Sequence, residues 1–223
     1  MDTIHTLKLG MARAYLLKGR AGYVLIDAGV PGAGGRIVQK MNDLAIRPDM
    51  LKLGIVTHVH YDHVGGLAGV VKASGCPVMV HEAGADALAH GEMSIPGGQI
   101  FLTRQLVRLA RRFPSVTAWV TRYEPVRADL YVNEETSLEP WGFSARAIPT
   151  PGHTKDSITV LTDDGRAFVG DLAYNELPFL AKTRKPPFAE NIDILHNSWR
   201  LLLDRGARII YPGHGEAFSA DEL

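Results

Sequence analysis

Four potential metal ligands fall within six consecutive positions of this 223-residue chain, and this cluster constrains its fold more than any other feature. His58 and His60 lie two positions apart, and Asp62 and His63 follow directly after Tyr61. On an extended segment the side chains of His58 and His60 point to the same face, because successive side chains alternate. Asp62 and His63 follow where the chain is expected to turn into a helix. Imidazole and carboxylate groups are ligands that zinc accepts, so the segment predicts a metal site.

Three later turns each place one more potential ligand at the end of a predicted strand. His153 follows Pro151-Gly152, Asp171 follows Gly170, and His214 follows Pro212-Gly213. Loops at strand ends are positions where a rigid scaffold can hold a site. A lone Gly-His or Gly-Asp pair carries little weight, but their order after the first cluster makes them a joint signal. We therefore predict that seven side chains meet at one metal centre: His58, His60, Asp62, His63, His153, Asp171 and His214.

Short apolar runs between turn residues predict a β-rich chain with interspersed helices. The predicted strands span 14–17, 23–26, 51–56, 77–80, 143–148, 157–161, 166–169 and 208–211. The predicted helices span 36–44, 62–73, 97–113 and 192–203. Strands followed by helices, twice over, indicate an α/β (α+β) chain with two β-rich halves covered by helices.

The length of the chain predicts one domain over residues 1–223, with a helical insertion near 84–130. The insertion contains a helix near 98–113 with leucines at three- and four-residue spacings and arginines between them. We expect this helix and the basic loop 182–185 to shape the mouth of the pocket. The arginines could bind an anionic or acyl substrate. The pattern favours a solvated arginine face, with the apolar stripe packed on the domain or on a second subunit.

Composition sets broad limits on partners and location. Lys+Arg and Asp+Glu are equal at 24 each, so no global field draws the chain to nucleic acid or to an anionic membrane. Cys76 is the single cysteine and is expected to be a small buried hydrophobe. The start of the chain does not resemble a signal peptide, so we expect a cytoplasmic protein. The expected partner is a small-molecule ester-like substrate, without nucleic acid or membrane, and a homodimer remains open.

The ligand motifs resemble those of the metallo-β-lactamase superfamily, and the resemblance runs from about residue 12 to residue 216. It implies a four-layer αββα sandwich with the metals at one edge of the two sheets. It also assigns the ligands to two ions: the first held by His58, His60 and His153, the second by Asp62, His63 and His214, and both by the bridging Asp171.

This resemblance implies a hydrolytic mechanism that depends on two zinc ions (Zn²⁺), although iron or manganese would also suit the ligands. Zinc lowers the pKa of bound water to about 7, so a metal-bound hydroxide can attack a carbonyl at neutral pH. Asp62 and Asp171 would be the catalytic carboxylates. Tyr174 resembles a tyrosine that helps to bind or polarise the substrate carbonyl in acyl-homoserine lactonases, although an ordinary loop tyrosine is equally open. Asp27 would orient a ligand histidine, or it makes an Asx-type turn before Gly29.

Several branches of the superfamily can be compared with this chain by the metal ligands and domains that each branch has. Asp171 argues against a β-lactamase of the nearest ligand type, which lacks the bridging aspartate. Glyoxalase II has the same seven ligands, but it grips its substrate with a C-terminal helical domain that we do not expect here. We therefore predict a dinuclear zinc hydrolase acting on a lactone or a thioester. The alternatives are a mononuclear-iron enzyme of the persulfide dioxygenase type and a non-catalytic metal-binding protein.

Overall fold

The structure is a computed structural model, and it describes residues 3–176 and 183–223. The first sheet has the strand order β1-β2-β3-β4-β5-β6, with β1 to β3 antiparallel and β3 to β6 parallel. Its strands are β1 (Ile4–Lys8), β2 (Arg13–Lys18), β3 (Tyr23–Ile26), β4 (Leu51–Ile55), β5 (Val78–His81) and β6 (Leu130–Val132).

The second sheet has the order β12-β11-β10-β9-β8-β7, in which only β10 and β11 run parallel to each other as neighbours. Its strands are β7 (Thr136–Ser137), β8 (Ala145–Pro149), β9 (Ile158–Thr162), β10 (Arg166–Gly170), β11 (Ile209–Pro212) and β12 (Phe218–Ser219). The helices are α1 (Gly34–Asp43), α2 (Tyr61–Val64), α3 (Leu67–Ser74), α4 (Glu82–His90), α5 (Phe101–Arg112), α6 (Pro114–Val120) and α7 (Ile192–Asp204).

Three separate apolar cores hold these elements together as four layers. The central core lies between the two sheets and includes Leu53 and Phe168. One outer core packs the first sheet under α1 and α3, with Ile37 fully buried. The other packs the second sheet under α7, with Trp199 and Leu202 buried. This arrangement confirms the predicted αββα sandwich.

The sheets are covered on both faces because their strands carry apolar residues at successive positions. In β2, Tyr15 and Leu17 face the central core, whereas Ala14 and Leu16 face the outer core under the helices. Side chains alternate along a strand, so a continuous apolar run fills two cores at once. The predicted strands are observed within a few residues of their expected bounds.

The single helix predicted over residues 62–73 is wrong, because the chain breaks between α2 and α3 at Gly65-Gly66. A Cβ atom on Gly65 would lie 2.1 Å from the backbone nitrogen of Pro31, and one on Gly66 would lie 2.4 Å from the carbonyl oxygen of Ala28. The two glycines therefore let this segment pass directly against the loop that follows β3, and this contact anchors the ligand-bearing α2.

The helix predicted over 97–113 begins only at Phe101, and its packing differs from expectation. Val107 and Thr103 are buried, but Leu102, Leu109 and Phe113 are 62%, 58% and 54% exposed. The first alternative, that this stripe packs on the domain, is therefore wrong, and the second, that it packs on a second subunit, stays a prediction. Its arginines are exposed to solvent, as predicted.

Cys76 is buried, as predicted. Within residues 3–176 and 183–223, the helices are too short or too polar to cross a bilayer.

Candidate metal centre

The seven predicted ligands come from loops and from the short helix α2, all at one edge of the two sheets. His58 and His60 follow β4, and His63 lies in α2 directly after them. His153 follows β8, Asp171 follows β10 without a gap, and His214 follows β11. Because β8, β10 and β11 point in the same direction, their carboxyl ends meet at this edge and bring the later ligands to the first cluster.

A first group of ligand atoms comes from His58, His60, His153 and Asp171, all within 4.8 Å of one another. The Nδ1 atom of His60 lies 3.0 Å from Nε2 of His58 and 3.2 Å from Nε2 of His153. The second carboxylate oxygen of Asp171, Oδ2, lies 3.8 Å from Nε2 of His153. Three imidazole nitrogens thus converge on one point beside a carboxylate, the arrangement that a divalent cation needs.

A second group consists of Asp62, His63 and His214. The Nε2 atom of His214 lies 3.4 Å from Oδ2 of Asp62 and 3.4 Å from Oδ1 of Asp171. The Nε2 atom of His63 lies 3.2 Å from the same Asp171 oxygen. Asp171 therefore directs one oxygen to each group, which is the geometry of a bridging carboxylate.

Buried polar atoms where the two ligand groups meet indicate whether these side chains fit a metal ion. Within the described residues, Nε2 of His63 and Oδ1 of Asp171 are buried without a hydrogen-bond partner. Leaving a buried polar atom unsatisfied costs about 1–3 kcal/mol, so native structures rarely do so. A cation between these atoms would satisfy both. The imidazole and carboxylate donors suit zinc and also accept iron or manganese.

Hydrogen bonds to the outer ring nitrogens hold the ligand histidines in one orientation. Nδ1 of His153 donates to the carbonyl oxygen of Phe188 at 2.9 Å, and Nδ1 of His214 donates to the carbonyl oxygen of Met11 at 3.1 Å. Each bond places the proton on Nδ1 and leaves Nε2 free to bind a cation. These partners have no motif in the sequence, because any residue offers a backbone carbonyl.

Asp27, directly after β3, orients two further ligand histidines through hydrogen bonds. Its carboxylate accepts hydrogen bonds from the backbone N–H and the hydroxyl of Thr57, both at 2.8 Å. It also accepts from Nδ1 of His63 at 2.8 Å. Since the Thr57 hydroxyl donates to Asp27, it accepts from Nδ1 of His58 at 3.1 Å. Asp27 thus orients His63 directly and His58 through Thr57, a residue that the sequence analysis did not single out.

Two glycines precede ligand histidines because no side chain fits there. A Cβ atom on Gly213 would lie 2.4 Å from Cε1 of His63 and 2.8 Å from Oδ1 of Asp171. A Cβ atom on Gly152 would lie 2.4 Å from the Cα atom of Leu195 in α7, and its φ is +140°. These close approaches explain why the Gly-His pairs are informative in the sequence.

The protonation equilibria of the two groups differ. Burial lowers the pKa of His58 and His153 and lowers the pKa of His60 to about 3, so these imidazoles are neutral near pH 7. Burial also acts to lower the pKa of His63, but the carboxylates of Asp171 and Asp27 outweigh it and hold that pKa well above its usual value.

Burial and neighbouring charges also oppose each other in setting the pKa values of His214 and Asp171. Asp171 and the hydrogen bond with Asp62 raise the pKa of His214 against the effect of burial. His214 and His63 in turn hold the pKa of Asp171 well below its usual value, although burial opposes this shift. Protons therefore compete with a cation more strongly at the second group than at the first.

A cavity of about 330 Å³ opens directly above both groups. Its floor includes His60, Asp62 and His214, and within the described part of the chain its lining contains no lysine or arginine. The wall is largely apolar and comes from the segment after α4 and from α5 and α6: Met93, Ile95, Pro96, Leu106, Val107, Ala110, Thr117 and Thr121.

Tyr174 lies in this cavity, with its ring centroid 5.2 Å from that of His214. Its hydroxyl donates to Oε2 of Glu176 at 3.3 Å, and burial raises its pKa, so the phenol stays protonated at neutral pH. It can therefore serve as a hydrogen-bond donor to a substrate. Glu176, which also approaches Nδ1 of His214 at 3.6 Å, was missed because a single glutamate in a loop carries no motif.

The structure brings all seven predicted ligands together and places Tyr174 beside them. The other histidines lie elsewhere: His81, for example, accepts a hydrogen bond from the backbone of Ala83 at the start of α4. In the predicted basic loop, Lys182 lies outside the described residues. Of the chain just after that loop, Pro187 and Phe188 line the cavity.

Comparison with curated proteins gives relatives of modest identity. The chain is 28% identical over 169 residues to the "Probable metallo-hydrolase YflN" of Bacillus subtilis, covering 74% of this chain and 62% of that protein, less than two thirds of its length. It is 27% identical over 233 residues to the human "Acyl-coenzyme A thioesterase MBLAC2", covering 95% of this chain and 76% of that protein.

Solved structures show the same fold at low identity. A metallo-beta-lactamase superfamily protein from Sulfolobus tokodaii superposes with a TM-score of 0.69 and 23% identity, covering 100% of this chain and 83% of that one. A subclass B3 metallo-beta-lactamase of Bradyrhizobium japonicum superposes with a TM-score of 0.66 and 22% identity, covering 96% of this chain and 75% of that one. The family model of the metallo-beta-lactamase superfamily matches residues 7–214. A match over nearly the whole chain, on the fold and ligand positions described above, shows that the protein belongs to the metallo-beta-lactamase superfamily.

Proposed function

We propose that the protein is a dinuclear metal-dependent hydrolase, with zinc as its metal, that cleaves the carbonyl bond of a small thioester or lactone. The observation that carries this proposal is the sharing of Asp171 by two ligand groups on the floor of one cavity. Three imidazoles and a shared carboxylate would hold one ion. Asp62, His63 and His214 would hold the second with the same carboxylate.

Different residues of the chain would have different roles in such a reaction. Divalent cations held by these ligands supply Lewis acidity and make water nucleophilic near neutral pH. Asp62 lines the cavity and is partly exposed, so its carboxylate can accept a hydrogen bond from the attacking water and orient it. The hydroxyl of Tyr174 can turn from Glu176 to donate to the carbonyl oxygen of the substrate, where negative charge develops.

The cavity wall favours an apolar acyl group on the substrate. Leu106 and Val107 of α5 and Met93 and Ile95 before it form a surface that excludes water from a bound chain. The relation to a protein named as an acyl-coenzyme A thioesterase supports a thioester as the first candidate. A lactone is the second candidate, because Tyr174 lies where a phenol could contact a ring carbonyl.

Metal analysis combined with a substrate panel tests this proposal. Protein purified without added metal should contain close to two zinc ions per chain, and it should hydrolyse acyl thioesters or lactones in preference to phosphodiesters. His60→Ala should lose nearly all of that activity, with a rate roughly a thousandfold lower, whereas His81→Ala, outside the centre, should retain it. One iron per chain with no hydrolysis would support the persulfide dioxygenase alternative and contradict the proposal.

A further inference from the structure

The segment from Phe101 to Arg122, which forms α5 and α6, carries an unbalanced positive charge. It contains no aspartate or glutamate, so the rest of this net-neutral chain has five more acidic than basic residues. Its charged residues are Arg104, Arg108, Arg111, Arg112 and Arg122. Arg104 and Arg108 make only long hydrogen bonds to uncharged groups, such as that from Arg108 to the Gln105 amide oxygen at 3.4 Å, and within the described residues none of the five arginines forms an ion pair.

The same segment exposes large apolar side chains in two helical stripes. Trp119 is 78% exposed, which is far beyond the ordinary exposure of an indole ring in a soluble protein. Together with the five arginines we call these side chains the α5–α6 surface; its apolar members are Phe101, Leu102, Leu106, Leu109, Phe113, Val116, Trp119 and Val120. Contiguous exposed apolar surface on a soluble protein marks an interaction site.

The combination of charge and apolar surface identifies the chemistry of the partner. A second copy of the chain in a two-fold dimer would place the patch against itself and bring two sets of unpaired arginines together. An anionic lipid surface complements both components, because its headgroups pair with guanidinium groups while its acyl region accepts apolar side chains. Arginine can also keep its charge at the headgroups while its stem lies against lipid. A tryptophan is suited to this interface, since its ring is apolar and its N–H is polar.

We infer that the α5–α6 surface docks the protein on membranes that carry anionic lipids. The surface is continuous with the cavity wall, because Leu106 of the α5 stripe and Thr117 of α6 both line the cavity. Docking would place the cavity beside the bilayer, where amphiphiles with acyl chains are concentrated. Membrane binding and hydrolysis are separate measurements, so either proposal can fail without the other.

Vesicle binding of the full chain tests the inference. Sedimentation with phosphatidylcholine vesicles containing about one third phosphatidylglycerol should recover the protein, and the same vesicles without phosphatidylglycerol should leave most of it in solution. Added salt should weaken the binding, because surface charge is screened. The fluorescence of Trp119 should shift to the blue on binding. Trp119→Phe should lose that shift, since Trp199 is already buried and Trp141 packs against the central core.

Charge-removal variants separate docking from general adhesion. The triple change Arg108→Ala, Arg111→Ala and Arg112→Ala should lower the partition coefficient roughly a hundredfold, at about fivefold per arginine. The matched control, Arg36→Ala with Lys40→Ala and Lys72→Ala, removes three exposed charges from α1 and α3 and should bind like the parent chain. Circular dichroism checks that each variant is folded.

Three results would overturn the inference. The first is equal binding of the protein to anionic and neutral vesicles. The second is equal binding of the triple variant and the parent chain to anionic vesicles. The third is a dimer, detected by light scattering, that Trp119→Glu converts to a monomer. The last result would assign the surface to a second copy of the chain.

Discussion

Replacing Asp27 by asparagine should weaken metal binding at His63 while leaving the shape of the site intact. Asparagine has the same size, and it tolerates the left-handed backbone of this position, where φ is +59°. Its carbonyl oxygen can still accept from the backbone N–H of Thr57. Its amide N–H₂ then faces Nδ1 of His63, which in the parent chain donates to the carboxylate at 2.8 Å.

The substitution therefore favours the opposite tautomer of His63. With its proton on Nε2, the ring donates towards Oδ1 of Asp171, 3.2 Å away, instead of offering a lone pair to a cation. Removing a carboxylate behind a ligand histidine typically costs 10- to 100-fold in metal affinity, which corresponds to roughly 1.4–2.7 kcal/mol. The lost charge-assisted hydrogen bond should also lower the free energy of unfolding by about 1.5–3 kcal/mol.

Zinc-buffered titration with metal analysis measures this effect ion by ion. The affinity for the ion at His63 should fall most. The affinity for the ion at His58, His60 and His153 should fall less, because Asp27 acts on His58 only through the Thr57 hydroxyl. Asp156→Asn is the matched control, because Asp156 is also buried and accepts from the backbone of Val59 at 2.9 Å without contacting a ligand. Equal loss of both ions in Asp27→Asn, or no loss of either, would refute the reasoning.

His60→Ala should lower hydrolysis roughly a thousandfold, because it removes the imidazole at the centre of the first group, and steady-state kinetics measures the loss. Tyr174→Phe should lower kcat/KM roughly a hundredfold with unchanged metal content, because it removes a donor to the developing oxyanion. Lowering the pH should release the ion at His63 and His214 first. Their pKa values are raised, so protons compete with the cation there at a higher pH than at the other imidazoles, whose pKa values are lowered. Dialysis at decreasing pH followed by metal analysis measures both steps.

Each of these three predictions has a control and a result that would contradict it. Tyr131→Phe, at an exposed tyrosine of β6, should leave kcat/KM unchanged, and a Tyr174→Phe enzyme as active as the parent would exclude the donor role. His81→Ala controls for histidine loss outside the centre. If both ions leave in a single step, or if the ion at His58 leaves first, the assignment of protons to the two groups is incorrect.

The meeting of the seven candidate ligands at one place was predictable from sequence, because residue types that bind metals stand in a characteristic spaced pattern. His58, His60, Asp62 and His63 sit on one short segment, and His153 and His214 each follow a glycine that the packing requires. The central strands were predictable for a related reason, since their continuous apolar runs fill two cores.

Other features depend on contacts between distant segments and leave no local pattern. The break between α2 and α3 arises from the approach of Gly65 to Pro31, and the orientation of His153 depends on the carbonyl of Phe188. The exposure of Leu109 also could not be predicted, because a helical stripe has the same spacing whether or not another element covers it. Periodicity identifies an apolar face, but only the tertiary structure shows what packs on it.

The asymmetry of the centre follows from where the sheets place their carboxylates. His63 lies between Asp27 and Asp171, and both carboxylates stabilise its protonated form, whereas His60 lies among other imidazoles and burial favours its neutral form. Cation binding should therefore release more protons from the second group than from the first, since ligand histidines bind in the neutral form. Asp171 contacts both groups, so a cation in one changes the field at the other. The two positions consequently form one coupled site, in which occupation of the first group should lower the proton affinity of the second.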